Sequence, residues 1–375
     1  MKRPVRIVLA AGEPSGDRLG AGLARELKRR LPDAELVGMG GDRMAAEGVE
    51  IVQHLREVAV VGISEVLAHF PQLLRARRRM VRRFTDEPTD LFIPIDFPDF
   101  NFGLGKAAHR AGVPVVYFVS PQIWAWRRGR INSLRRWVRR MLVLFPFEEA
   151  LYRDAGIDVR FVGHPLAASV VHPGRLALAE TVGVDPDQRY VALMPGSREG
   201  EVRRLFPILD ATARDLLTTH PELRFIVPVA PHLDLKGDRF IFHRGDFPEL
   251  LDLCDAGVVA AGTASLEAAV QGLPIVIVHR LSRSSYAIGR RLVKLESFGL
   301  PNLVAERPLV PEFIQDDCRP DRIAAAIRRY LDDPHHTATI REGLAGIRQR
   351  LGGEGVFERA ADSVIELLQQ SPRVP

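Results

Sequence analysis

Two short stretches, MPGSR at residues 194–198 and GTASLE at 262–267, carry the residue types that hold a diphosphate. Each follows an apolar run that reads as a strand, and each opens a helical pattern. A helix start presents unpaired N–H groups and the positive end of the macrodipole, which together favour an anion. Ser197 is the expected N-cap of the first helix, which puts Arg198 in the first turn, where the dipole disfavours a cation. A phosphate would reverse that penalty, because guanidinium and N–H groups would converge on it. The plainer alternative is a solvent-facing arginine. In the second stretch Thr263 is the expected cap, and its capping-box partner would be Leu266. Glu267 falls one position too late for that role. It suits the hydroxyls of a ribose, or it merely complements the dipole. Gly196 and Gly262 complete the two candidate loops.

The first half offers a base. Asp96 and Asp99, in DFPDFN at 96–101, follow the apolar run 91–95. Asp96 at the strand's carboxyl end is the better candidate for chemistry, and Asp99 for capping a helix that begins near Phe102. The types alone separate the two weakly. GEPSGD at 12–17 makes a glycine turn without the GxGxxG dinucleotide pattern. Ser15 and Asp17 there read more readily as helix caps than as ligands. Glu13 and Ser15 are further candidate substrate contacts. His164 follows the run 159–162. Asp316, Asp317, Asp332, Asp333, His335 and His336 lack metal-ligand spacing, so no metal or cofactor is expected.

These residues need strands to position them. Apolar runs at 5–11, 35–39, 91–95, 113–119, 141–144 and 159–162 alternate with helical patterns at 16–31, 72–84 and 102–111. The pattern restarts with strands at 190–194, 225–229, 256–260 and 275–278, and helices at 200–220, 263–271, 322–331 and 336–370. Near-continuous apolar strands alternating with helices predict parallel sheets covered on both faces. A chain of 375 residues exceeds one ordinary core, and the segment 163–173 is rich in turn formers, so two such domains are expected, with ligands in a cleft beyond the strands' carboxyl ends.

A formal charge of +5 favours anionic partners without choosing among them. Arginines cluster at 75, 77, 78, 79, 82 and 83, after the apolar segment 58–70, and again at 127, 128, 130, 135, 136, 139 and 140, after Trp124 and Trp126. Solvated helix faces are the bland explanation; an anionic membrane surface is the sharper one. Single-stranded nucleic acid would also suit arginines among aromatics, but no RNA-binding signature appears, and that reading leaves the strand-end loops unused. Two cysteines without CxxC spacing suit a reducing compartment. No apolar stretch reaches the roughly 18–20 residues of a membrane span.

The loops together resemble the lipid-A-disaccharide synthase family. The likeness runs through AGEPSGD (11–17), VGISEVL (61–67), PIDFPDFN (94–101), SPQIWAW (120–126), VGHPL (162–166), MPGSREGEV (194–202), GTASLEAA (262–269) and PNLVAE (301–306). GTAS-LE is common to many nucleotide-sugar transferases, whereas PQIWAW and IDFPDFN are far more specific. Pro14 stands where the family more often has alanine. The resemblance implies an α/β GT-B fold of two Rossmann-like domains. Residues 1–167 would form the acceptor and membrane side, 168–345 the UDP-sugar side, and the helices in 346–375 would pack back onto the first. It implies an inverting, metal-independent transferase. The donor would be UDP-2,3-diacylglucosamine, the acceptor 2,3-diacylglucosamine 1-phosphate (lipid X), and the products a β-1,6 disaccharide 1-phosphate and UDP. Asp96 matches the family's base, Arg198 a diphosphate-site arginine, and Glu267 and Asn302 UDP-contacting positions. The enzyme would be cytoplasmic and peripheral to the inner face of the inner membrane, with its oligomeric state open. A UDP-GlcNAc epimerase or a peptidoglycan-precursor transferase would share the Glu267 loop but not the two specific elements.

Overall fold

The computed structural model describes residues 3–58, 63–123, 128–169, 172–244, 250–282, 286 and 297–370, with the side chains of 63–70 and 128 left aside. Its contacts divide the chain into two units, Met1–His164 with Glu354–Pro375, and Pro165–Gly353.

The first unit runs β1 (Arg6–Ala11), α1 (Pro14–Arg30), β2 (Glu35–Gly40), α2 (Asp42–Ala46), β3 (Glu50–His54), α3 (Ile63–Thr85), β4 (Leu91–Ile95), α4 (Pro98–Arg110), β5 (Val116–Phe118), α5 (Ile131–Leu134), β6 (Arg140–Val143), α6 (Phe147–Asp154) and β7 (Val159–Phe161). Its sheet has the order β3-β2-β1-β4-β5-β6-β7, all parallel. The inner strand β1 shows why its sequence is apolar from Ile7 onward. Ile7, Leu9 and Ala11 pack with Leu23 and Leu27 of α1, while Val8 and Ala10 pack with Met80 and Phe84 of α3 and Leu104 of α4. Each face has its own helix layer, so neither set of alternating side chains meets water.

The second unit runs α7 (Arg175–Val182), β8 (Tyr190–Met194), α8 (Glu199–Leu217), β9 (Arg224–Pro228), β10 (Phe240–His243), β11 (Ala256–Ala260), α9 (Thr263–Val270), β12 (Ile275–His279), α10 (Leu300–Ala305), β13 (Glu312–Ile314), α11 (Pro320–Asp332) and α12 (Pro334–Arg350). Its parallel sheet has the order β10-β9-β8-β11-β12-β13. The winding direction reverses between β1 and β4 in the first sheet and between β8 and β11 in the second. Such switch points open a crevice outside the strands' carboxyl ends, where ligands of open α/β sheets bind.

The last helix, α13 (Val356–Gln370), belongs to the first unit: Val356, Ala360, Val364 and Leu367 share the core of α1. The sequence predicts one helix over 336–370, but it breaks between Arg350 and Val356, around a glycine pair. Arg140, which the sequence groups with surface arginines, is 2% exposed. It pairs with Asp158 at 2.7 Å and Glu366 at 3.1 Å, and donates to the Ser363 carbonyl at 2.8 Å. It therefore fastens α13 to β6. Arg83 likewise pairs with Glu87.

The glycine turn after β1 is also structural in part. Pro14 starts α1, where its fixed φ suits a first turn and its missing N–H costs nothing. Ser15 is exposed and caps nothing, since the N-cap is Glu13, without a side-chain cap bond. Asp17 does cap a helix, but the next one. Buried to 5% exposure, its carboxylate accepts from the N–H groups of Gly41 (2.6 Å), Arg43 (3.2 Å) and Met44 (3.2 Å) at the start of α2. Asp17→Ala leaves three donors without their acceptor and should destabilise the protein by about 2–4 kcal/mol. Thermal melting checks this: Asp17→Asn should lose less, and an unchanged midpoint for Asp17→Ala would show the cap to be inert.

Candidate functional site

In the second unit the loops after β8 and β11 meet at the switch point around a pocket of about 470 Å³. Gly196, Ser197, Arg198, Gly262 and Thr263 all line it, and Ala230, beyond β9, contributes to the wall. The caps differ from those the sequence predicts. Arg198, not Ser197, is the N-cap of α8, with φ −94° and ψ 133°, and no side-chain cap bond is made. Arg198 thus stands just outside the helix rather than in its first turn, still at the positive end of the dipole. The Ser197 carbonyl accepts from His232 Nε2 at 3.0 Å. Gly262, not Thr263, is the N-cap of α9, so Thr263 is its first residue. The third helical position is then Ser265, whose hydroxyl donates back to the Gly262 carbonyl at 2.7 Å. Glu267 sits two positions beyond the capping-box place, partly buried, and the pocket lining ends at Ala264.

One residue the sequence reading passed over is Glu201. It lines the same pocket, and the N–H groups of Ser197 and Arg198 favour its ionised form. Gly196, at φ +102°, lies against that carboxyl, and any Cβ there would overlap it. The positive φ calls for a glycine, and a side chain there would displace the Glu201 carboxyl.

In the first unit Asp96 follows β4 at the switch point beside the loop after β1. Asp96 and Phe97 both adopt φ +47°, a left-handed conformation that costs a non-glycine residue of order 1–3 kcal/mol. Surrounding bonds impose it. Asp96 N donates to the Phe118 carbonyl at 3.1 Å. The Asp96 carbonyl accepts from Asn101 Nδ2 at 2.7 Å and from the Tyr117 hydroxyl at 3.0 Å. Asn101, fully buried, also donates to the Ala10 carbonyl at 3.1 Å, which ties the ends of β1 and β4 together. Gly12 completes the fit, since a Cβ there would penetrate the Phe97 ring. Burial pushes the Asp96 carboxyl up to about 6, the Glu13 carboxylate adds to the rise, and the Phe97 N–H opposes it. A carboxyl held in a strained turn and titrating near neutrality is suited to general-base work.

Asp99 is different. It lies in the first turn of α4, which starts at Pro98 rather than near Phe102, and Phe97 occupies the cap. Its exposed carboxylate accepts from Arg130 Nη2 at 2.6 Å, and that guanidinium stands 5.0 Å over the Phe102 ring. Glu13 is exposed at the start of α1. His164 is driven down to about 4 by burial and by Arg18, so it is neutral at physiological pH.

A family profile described as lipid-A-disaccharide synthetase matches residues 7–352. The chain belongs to that family. It is 44% identical over 373 residues to the lipid-A-disaccharide synthase of Geobacter metallireducens, covering 97% of each chain. It is 43% identical over 378 residues to that of Myxococcus xanthus, covering 98% of this chain and 99% of the relative. Among solved structures, a calicheamicin glycosyltransferase aligns with a TM-score of 0.61 at 19% identity, over 99% of this chain and 100% of the other. A UDP-GlcNAc 2-epimerase from Neisseria meningitidis aligns with a TM-score of 0.66 at 10% identity, over 97% and 100%. At such identities these likenesses concern the fold alone, an α/β GT-B-like arrangement of two parallel sheets. As a member of the lipid-A-disaccharide synthase family the protein is a hexosyltransferase of lipid A biosynthesis.

The structure gives one family position a job the sequence could not. Asn302 is 3% exposed, and its amide is fully engaged. It donates to the Val310 carbonyl at 2.8 Å and to Glu312 Oε1 at 2.6 Å, and accepts from the N–H groups of Leu309 and Val310, both at 2.9 Å. Its side chain has no hydrogen-bonding capacity left for a nucleotide; it shapes the 309–312 loop. Trp124, Trp126, Arg127 and most of the apolar segment 58–70 lie outside the described residues or side chains. Among the described residues no cluster of three or more His, Cys, Asp or Glu could hold a metal ion, and no helix is long and apolar enough to cross a membrane.

Proposed function

We propose that the enzyme transfers 2,3-diacylglucosamine from UDP-2,3-diacylglucosamine to the 6-hydroxyl of 2,3-diacylglucosamine 1-phosphate with inversion at the anomeric carbon. The products are the β-1,6-linked disaccharide 1-phosphate and UDP. The observation that carries this reading is the meeting of the 194–198 and 262–264 loops around one pocket at the switch point of the second sheet, in a chain of this family. That unit takes the donor. Arg198 and the N–H groups at the start of α8 would receive the diphosphate and the charge it gains as the glycosidic bond breaks. The first unit supplies the base. Asp96 accepts the proton of the acceptor 6-hydroxyl as that oxygen bonds to the anomeric carbon, and the electron pair of the broken C–O bond leaves with UDP. One base suffices, because inversion needs no covalent intermediate.

The diacyl substrates give α3 a role. Ala76, Met80 and Phe84 bury one face of that helix, while Arg75, Arg78, Arg79 and Arg82 are exposed on the others. Such a face suits anionic lipid headgroups at the inner membrane surface.

Titration with UDP tests the donor site. UDP should bind wild-type protein without added metal, and UMP should bind more weakly for lack of the second phosphate; indifference to both contradicts the reading. The base predicts a pH profile. Asp96 must be ionised, so log kcat/KM should climb with unit slope as pH rises towards about 6 and level off above it. A profile flat from pH 5 to 8 would exclude Asp96.

A further inference from the structure

Glu201 stands in the third position of α8 with its carboxyl against the α-carbon of Gly196. The Ser197 and Arg198 N–H groups favour its charged form, and they are the ones the donor site would offer to a diphosphate. Each N–H carries one hydrogen, and two anions so close repel strongly in a partly dry pocket. A ligand phosphate and this carboxylate therefore compete for the same donors.

We infer that Glu201 is an internal stand-in for the donor phosphate: it occupies the Ser197 and Arg198 N–H groups in the empty enzyme and gives them up when a nucleoside diphosphate binds. The inference rests on the donor-site reading above. In the empty state it keeps the loop open and its donors satisfied. After transfer, the carboxylate's return opposes rebinding of UDP and so helps release the product.

The surroundings agree with a seat that is held but not deep. Burial raises the Glu201 carboxyl above the usual range, and the Arg198 guanidinium, the two N–H groups and Arg204 pull the other way. Desolvation prevails, so the carboxylate is less comfortable there than in water. The competing role is a fixed capping box, in which a glutamate three residues after the N-cap merely ties down the N-cap N–H. The two roles differ in sign. Removing a fixed brace loosens the loop and weakens UDP binding. Removing a competing anion strengthens it.

Calorimetric titration of UDP into wild-type protein and Glu201→Gln distinguishes them. Gln keeps the length of the side chain and loses the charge. The expected result is UDP binding about three- to tenfold tighter in Glu201→Gln. Equal or weaker binding overturns the inference. If Glu201→Gln does not melt cooperatively, Glu201→Asp, which retracts the carboxylate by one methylene, takes its place with the same two outcomes. Wild-type protein that fails to bind UDP sinks the donor-site reading itself, a result separable from failure of the Glu201 role.

Discussion

Asp96→Asn should lower turnover by about 10²–10⁴-fold, the usual contribution of a positioned base, while UDP affinity stays within about twofold of wild type. Asn is nearly isosteric and tolerates the left-handed backbone that Asp96 adopts. The Asn101 and Tyr117 bonds go to the Asp96 carbonyl, so they survive the change. What is lost is the proton acceptor. Asp99→Asn should retain most activity, because that carboxylate is exposed and serves an ion pair with Arg130. Collapse in Asp99→Asn with near-normal Asp96→Asn would reverse the assignment. A second readout follows from linkage. The Asp96 carboxyl is raised to about 6 from an ordinary value of 3.8, so ionising it costs the folded state stability. That cost is absent below about pH 4, where both states are protonated, grows between about pH 4 and 6, and is complete above it. Asp96→Asn should therefore melt above wild type at pH 7, with the difference vanishing towards pH 4. Loss of activity with a gain in stability is the mark of a group held for chemistry.

Arg198→Ala should lower kcat/KM for the donor by about 10²–10³-fold, through both weaker binding and slower chemistry. It lines the proposed donor pocket at the mouth of α8, and its absence would remove a charge where the leaving diphosphate would become more negative. The N–H groups of the loop remain, so UDP binding should persist at reduced affinity. Arg198→Lys should recover part of the loss, since the charge returns without the bidentate fork. Unchanged kinetics in Arg198→Ala would mark the residue as a solvent-facing arginine.

The strands bearing these loops were legible because they are buried on both faces. Residues 91–95, 190–194 and 256–260 are apolar runs without alternation, and the structure has strands with those bounds. Strand order was not legible, because a crossover helix does not record which neighbour its strand joins. That Asp96 stands at one switch point and Arg198 at the other emerges only from the sheets. The short elements β3, β10, β13 and α2 escaped because a few residues carry too little periodicity.

Caps misled more than strands. Taking Ser197 as the N-cap puts Gly200 at the third helical position and hides Glu201. With Arg198 as the cap, Glu201 falls where a capping-box glutamate belongs, so the signal was present one residue out of register. The left-handed turn at Asp96 had no sequence signal beyond the aspartate itself. It is imposed from a distance by Asn101 and Tyr117.

The most direct test of the central claim is the transfer reaction. Purified protein is incubated with UDP-2,3-diacylglucosamine and 2,3-diacylglucosamine 1-phosphate in metal-free buffer, and the products are identified by mass and by the anomeric configuration of the new linkage. UDP and a β-1,6-linked disaccharide 1-phosphate, formed in equal amounts, are the predicted result. Folded protein that binds UDP yet forms neither product, or forms an α linkage, would contradict it.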